Sequence, residues 1–227
     1  LTDVVLEHGR NAENGIVPNL DIVKSTYQKI LELVNSENKE DCTNSINLHL
    51  QMAQKALDEA LEKKEFADEV RSRALAFSGE ILISHVMNHI LRSNGIKADA
   101  VSFDDWPIIT DDNIESTNFL TSESRAKMQK TEELVSSNEV VTIGGFIGKT
   151  TENVTTTYER GGSDRTAADL AILFHKKYET RVDFEKDSAV VSADPKIVDL
   201  GLSEVEQLSY NEARLAGMFG MKILDPI

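Results

Sequence analysis

Two side chains of opposite charge flank a pair of glycines in Arg160-Gly161-Gly162-Ser163-Asp164. Glycine lets a backbone approach a ligand closely. A helix predicted from about Ser163 to Lys177 would begin there with unsatisfied amides and the positive end of its dipole. Together these features make an anion cradle. Arg160 adds a planar fork matched to a carboxylate, and Asp164 is placed to orient a cation or a lysine. The same residues also fit a plainer role, in which Ser163 only caps a helix after a glycine turn. Spacing alone leaves both readings open.

Three other groupings carry less chemistry. Gly144-Gly145-Phe146-Ile147-Gly148-Lys149-Thr150 has the outline of a phosphate-binding loop, but that motif needs four residues between its glycines and this run has three. A glycine-rich turn after a strand fits it better. His85 and His89 stand four apart on one helix face, a zinc-like spacing, yet no Glu follows His85 and no third ligand is evident. Cys42 lies beside Asp41 with no nearby histidine to activate it, so it does not read as a nucleophile.

The elements that must position these residues change character along the chain. Val23, Tyr27, Ile30, Leu31 and Val34 recur at helical spacing, and so do Ile46, Leu50, Ala53, Leu57 and Leu61. Phe66 to Leu91 is helical again, with a break predicted at Ser78-Gly79 and an end at Gly95. Beyond Gly95 short extended runs, Ala98 to Phe103 and Val140 to Ile143, enclose a charged helix around Ser122 to Val135. Thr155 to Tyr158 reads as a strand and Arg181 to Phe184 as another. Ser209 and Glu212 form a capping box before the last helix. Such alternation predicts a single α/β layered domain over residues 1–227, with a largely parallel sheet.

Composition narrows the class. The 227 residues are 40% hydrophobic and 28% charged, with 12 Gly and 4 Pro, which excludes collagen-like, low-complexity and wholly disordered chains. With 39 acidic and 24 basic side chains the formal charge is −15, which argues against nucleic acid as the main partner. The single cysteine fits a reducing, cytoplasmic compartment. No run approaches the roughly 18 apolar residues that span a bilayer, so no membrane role is expected.

Thr155-Thr156-Thr157-Tyr158-Glu159-Arg160-Gly161-Gly162-Ser163-Asp164, followed by Thr166-Ala167-Ala168, resembles the signature of the aspartate kinases within the amino acid kinase family. Thr2-Asp3, Ser78-Gly79-Glu80, Gly145-Phe146-Ile147-Gly148, Ala193-Asp194-Pro195-Lys196, Leu208-Ser209-Tyr210 and Phe219-Gly220-Met221-Lys222 follow in the family's order. The resemblance implies an open αβα three-layer sandwich that passes the γ-phosphoryl group of ATP, with Mg2+, to the β-carboxylate of L-aspartate. The domain would act as a homodimer. Arg160 would grip the substrate α-carboxylate and Glu80 its ammonium group, with Thr2, Phe146 and Ser163 lining the same pocket. Asp164 would organise the transfer site and Lys222 lie near the moving phosphate. Gly161 and Gly162 would face the nucleotide phosphates, and Asp187, Asp194 and Lys196 fall in the nucleotide-binding stretch.

The chain also departs from the family pattern. The usual opening strand with Lys-Phe-Gly-Gly-Thr-Ser has no counterpart before Leu1, and the nucleotide loop reads Glu185-Lys186-Asp187-Ser188-Ala189-Val190-Val191. A histidine of the closing motif is replaced by Asp225, and residues 1–227 hold no counterpart of the family's regulatory ACT domains. These departures keep two alternatives in play: a family member with another acceptor, and a homologue that binds aspartate or nucleotide without catalysis.

Overall fold

In the computed structural model the described residues are 1–159, 161–185, 191 and 204–218. The first part is helical. Thr2–Glu13 forms α1, Asp21–Ile30 forms α2, which tightens into a 3-10 turn at Leu31–Leu33, and Lys39–Lys63 forms α3. On α3 Ile46, Leu50, Ala53 and Leu57 follow the helical period and are buried, as their spacing predicts; Leu61, read as part of the same face, is only partly buried, and the neighbouring Ala60 is buried instead. Gly9 in α1 is where the backbone comes closest to its neighbour, since a Cβ there would lie 2.1 Å from the Phe66 ring.

The break expected at Ser78-Gly79 does not occur. Asp68–Leu75 (α4) passes through a π-helical turn at Ala76–Glu80 directly into Ile81–Ser93 (α5). Ser78 does not cap a new helix. Its hydroxyl donates back to Ala74 O at 2.6 Å, inside the turn. The Tyr27 hydroxyl reaches over from α2 to the carbonyls of Ser78 and Gly79 at 3.3 and 3.4 Å, which supports carbonyls in the widened turn. The continuous run Asp68–Ser93 is long and apolar enough to cross a bilayer by length and composition, which the sequence reading did not expect, but most of it is buried within the fold.

The second part alternates as predicted. Ala98–Ala100 (β1) pairs in parallel with Val140–Thr142 (β2), and Ile147–Lys149 (β3) pairs antiparallel with Thr155–Thr157 (β4). The charged helix is two: Thr121–Ala126 (α6) and Gln129–Ser137 (α7), separated where the chain tightens and turns Met128, 3% exposed, into the core. Gly162–Phe174 forms α8 and Tyr210–Met218 forms α9. The capping box is present: Ser209 N–H donates to Glu212 Oε2 at 2.8 Å, and Glu212 N–H donates to Ser209 Oγ at 3.3 Å. Arg181 to Phe184 is not a strand; it is exposed, and Arg181 pairs with Asp183 at 2.8 Å, two residues along its own chain. Strand geometry needs a neighbouring ladder, and none reaches these residues among those described.

Three histidines lie between α3 and α5. The His49 and His85 rings are 4.6 Å apart, and His89 is buried one turn beyond His85. Burial pushes all three below the ordinary histidine range, His85 to about 4, and the neighbouring histidines add to that shift. Among the described residues no group of three or more His, Cys, Asp or Glu side chains is placed to hold a metal ion. An imidazole held neutral in the fold and protonated when unfolded makes stability fall as pH drops from about 6.5 to 4, and the loss levels off below that. From His85 alone the loss is on the order of 3 kcal/mol. Urea unfolding at pH 7 and 4.5 is expected to show this slope, and His85→Gln to flatten it; an unchanged slope would mean that other groups set the acid limit.

Cys42 is fully buried in α3, and burial pushes its thiol up to about 11, in line with an unreactive cysteine.

Candidate active site

The π-turn brings Glu80 to a meeting of three segments. Its half-buried carboxylate accepts a hydrogen bond from the Gly145 amide; burial raises its pKa above the usual range, and the Gly145 bond offsets part of that. The adjoining glycines are there because the backbones nearly touch. A Cβ on Gly144 would lie 2.6 Å from the Glu80 carbonyl oxygen, and one on Gly145 would lie 2.9 Å from Ser163 Cα. Side chains at 144 and 145 would therefore push the Glu80 turn and the start of α8 apart.

Phe146 follows with φ of +67°, uncommon for a residue with a Cβ. The Ile147 amide donates to Gly145 O at 2.8 Å, closing a three-residue γ-turn around Phe146. The Phe146 amide donates to Thr166 Oγ1 at 3.0 Å, and that hydroxyl donates to Gly162 O at 2.8 Å. These bonds tie the turn to the first turns of α8 and hold its unusual conformation.

Gly161 starts α8 with φ of +96°, where glycine is favoured. The amides of Gly162 and Asp164 fold onto Glu159 O and Gly161 O, both at 3.0 Å, giving a tight helix entry. Ser163 is exposed at this entry and Asp164 half-buried beside it. The plainer capping role does not hold for Ser163, because the cap position belongs to Gly161.

Of the residues singled out from sequence, Glu80, Phe146, Gly161, Gly162, Ser163 and Asp164 thus come to the end of α8 and the turns around it. Thr2 is exposed in the first turn of α1. Arg160, Asp187, Asp194, Lys196 and Lys222 lie outside the described residues. The phosphate-loop outline at residues 144–150 is resolved as structure: Lys149 is 5% exposed and donates to Phe103 O and Asp104 O at 2.8 and 3.0 Å. Sequence reasoning placed Tyr27 on a helix and Tyr158 in a strand but gave neither a part at the site, and it did not single out Asp169, because nothing in their local spacing marks their partners.

Residues 23–227 match the family model described as the amino acid kinase family. The chain belongs to the amino acid kinase family. Among its relatives, aspartokinase 1 of Bacillus subtilis is 30% identical over 149 residues, 65% of this chain and 35% of its own length. The aspartokinase of Rickettsia felis is 32% identical over 150 residues, 66% of this chain and 35% of its own length. The chain therefore spans about a third of these relatives. The structure of Escherichia coli aspartokinase III in complex with aspartate and ADP superposes with a TM-score of 0.82 at 22% identity, covering 99% of this chain and 48% of that one. These findings bear out the α/β amino acid kinase fold and the resemblance to the aspartate kinase catalytic domain.

Proposed function

We propose that this amino acid kinase chain is the catalytic domain of an aspartate kinase, forming 4-phospho-L-aspartate from L-aspartate and ATP on the way to lysine, threonine and methionine. The observation that carries this reading is the joining of the Glu80 carboxylate to the start of α8 through Gly145. A zwitterionic amino acid needs one acid and one guanidinium at fixed separation, and Glu80 and Arg160 are the pair for it. The relative solved with aspartate and ADP lends support.

In this scheme Glu80 accepts hydrogen bonds from the substrate ammonium group, while Arg160 and Ser163 hold the α-carboxylate. Phe146 and Thr2 line the pocket. The β-carboxylate is ionised at neutral pH and needs no base. One of its oxygens attacks the γ-phosphorus as the bond to the ADP oxygen breaks, and ADP leaves with the electron pair. Little covalent help is needed beyond alignment and positive charge; the positive dipole end of α8 at Gly161 and Gly162 contributes part of it, its Gly162 and Asp164 amides being already bonded within the helix entry, and Lys222 is assigned the rest.

No described cluster of three or more ligating side chains would cage a metal. A magnesium ion carried on nucleotide phosphates needs only one or two protein carboxylates, and Asp164 in the first turn of α8 would suit that part. Such an ion neutralises charge on the phosphates when bound. Asp187, Asp194 and Lys196 are assigned to the nucleotide. A cytoplasmic location and a homodimer complete the reading, the homodimer supported by Leu48 and Met52 of α3 and Met87 of α5, which are exposed on adjoining helices.

The direct test is an acceptor panel on the full-length protein with ATP and Mg2+: aspartate, glutamate, acetylglutamate, carbamate and uridylate, with ADP release measured for every acceptor and acyl phosphates trapped by hydroxylamine where the acceptor is a carboxylate. Aspartate is expected to turn over at least roughly a hundredfold faster than glutamate, because a one-methylene misplacement in an oriented site costs that order. Preference for another acceptor would reassign the substrate, and binding without turnover would favour the non-catalytic reading.

A further inference from the structure

Beneath the glycine entry lies a polar pair that the proposed reaction does not use. Tyr158, 1% exposed, follows β4, and its hydroxyl donates to Asp169 Oδ2 at 2.7 Å. Asp169 is 6% exposed and lies in the second turn of α8. Burying a carboxylate is costly unless it is well satisfied, so a buried tyrosine and acid do more than fill space. Burial is the main cause that raises both pKa values, and the Arg165 guanidinium, 4.9 Å over the Tyr158 ring, acts against it.

What this pair touches gives it a role. The Tyr158 amide donates to Phe146 O at 2.9 Å, so the same residue holds the γ-turn of the pocket. Its Cβ stands 2.3 Å from where a Gly162 Cβ would be, and Phe146 Cδ2 stands 3.0 Å from that point. Tyr158 is thus wedged between two walls of the site, while its hydroxyl is anchored farther along the helix that forms one of them. A change in the reach of the Tyr158 to Asp169 bond would move the start of α8 against Phe146.

We propose that the Tyr158–Asp169 hydrogen bond sets the separation of Phe146 from the Gly161–Ser163 entry, making both residues positioning residues for the amino-acid acceptor. This rests on the aspartate kinase reading. The test uses the full-length protein and reads KM for aspartate, KM for ATP, kcat and the thermal midpoint together. Tyr158→Phe is expected to raise the aspartate KM by roughly tenfold, with the ATP KM within about twofold. Asp169→Asn keeps an oxygen that accepts the phenol bond and is expected to stay near wild type. Asp169→Ser, which removes the acceptor at that reach, is expected to match Tyr158→Phe and serves if the latter does not fold. A lowered thermal midpoint with an unmoved aspartate KM would overturn the proposal, as would equal rises in both KM values. If wild type does not phosphorylate aspartate, the substrate reading fails by itself, and the same KM split is read with the acceptor that the panel selects.

Discussion

Glu80→Gln is expected to raise the KM for aspartate by roughly a hundredfold or more while leaving the KM for ATP within about twofold. Removing one partner of a desolvated charge pair costs about 3–5 kcal/mol, and each 1.4 kcal/mol is tenfold. Glutamine keeps the shape of the side chain and an oxygen that can accept the Gly145 amide, so the change is in charge and not in the fold. The same variant has a pH signature. Burial raises the pKa of Glu80, and its ionised form is the one that holds an ammonium group. Aspartate affinity should therefore fall as pH drops through that raised pKa, and the fall should be absent in Glu80→Gln. Equal rises in both KM values, or an unchanged acid limb, would mean that Glu80 is structural.

The second large effect is on stability. Gly162→Ala places a methyl group 2.3 Å from Tyr158 Cβ and 3.0 Å from Phe146 Cδ2, and Tyr158 is 1% exposed. Overpacking of this kind, with the side-chain and backbone shifts it forces, costs about 1–3 kcal/mol. Gly79→Ala is the internal comparison, since its Cβ meets nothing within 4 Å and its helical conformation accepts alanine. It should be neutral or stabilising by up to about 1 kcal/mol. Urea unfolding of the two variants beside wild type measures the difference; similar midpoints would show that the contact at Gly162 is not tight in solution.

The features legible from sequence are those that rest on local rules. The period of Ile46, Leu50, Ala53 and Leu57 predicts a buried helix face, and Ser209 with Glu212 predicts a box of reciprocal hydrogen bonds. The glycine pair before Ser163 marks a helix entry because glycine takes positive φ readily, as Gly161 does. What stayed hidden depends on distant partners. The helix runs through Ser78-Gly79 as a π-turn, with Tyr27, 51 residues away from Ser78, bonded to its carbonyls. The positive φ of Phe146 is held by Thr166 across 20 residues, and no propensity for phenylalanine signals it. Arg181 to Phe184 has strand-like composition, but a strand exists only where a ladder accepts it.

For the site, local reading found the entry of α8, while the resemblance brought Glu80 into it. The fold supplies the reason that these belong together: Gly144 and Gly145 let the Glu80 turn and Ser163 approach more closely than any side chain would permit.

The most direct measurement is a crystal structure of the full-length protein with L-aspartate. The ammonium group should lie within hydrogen-bond distance of the Glu80 carboxylate, with the α-carboxylate at Arg160 and Ser163 and the β-carboxylate directed toward the entry of α8. Aspartate seated elsewhere, or its ammonium group turned away from Glu80, would contradict the account.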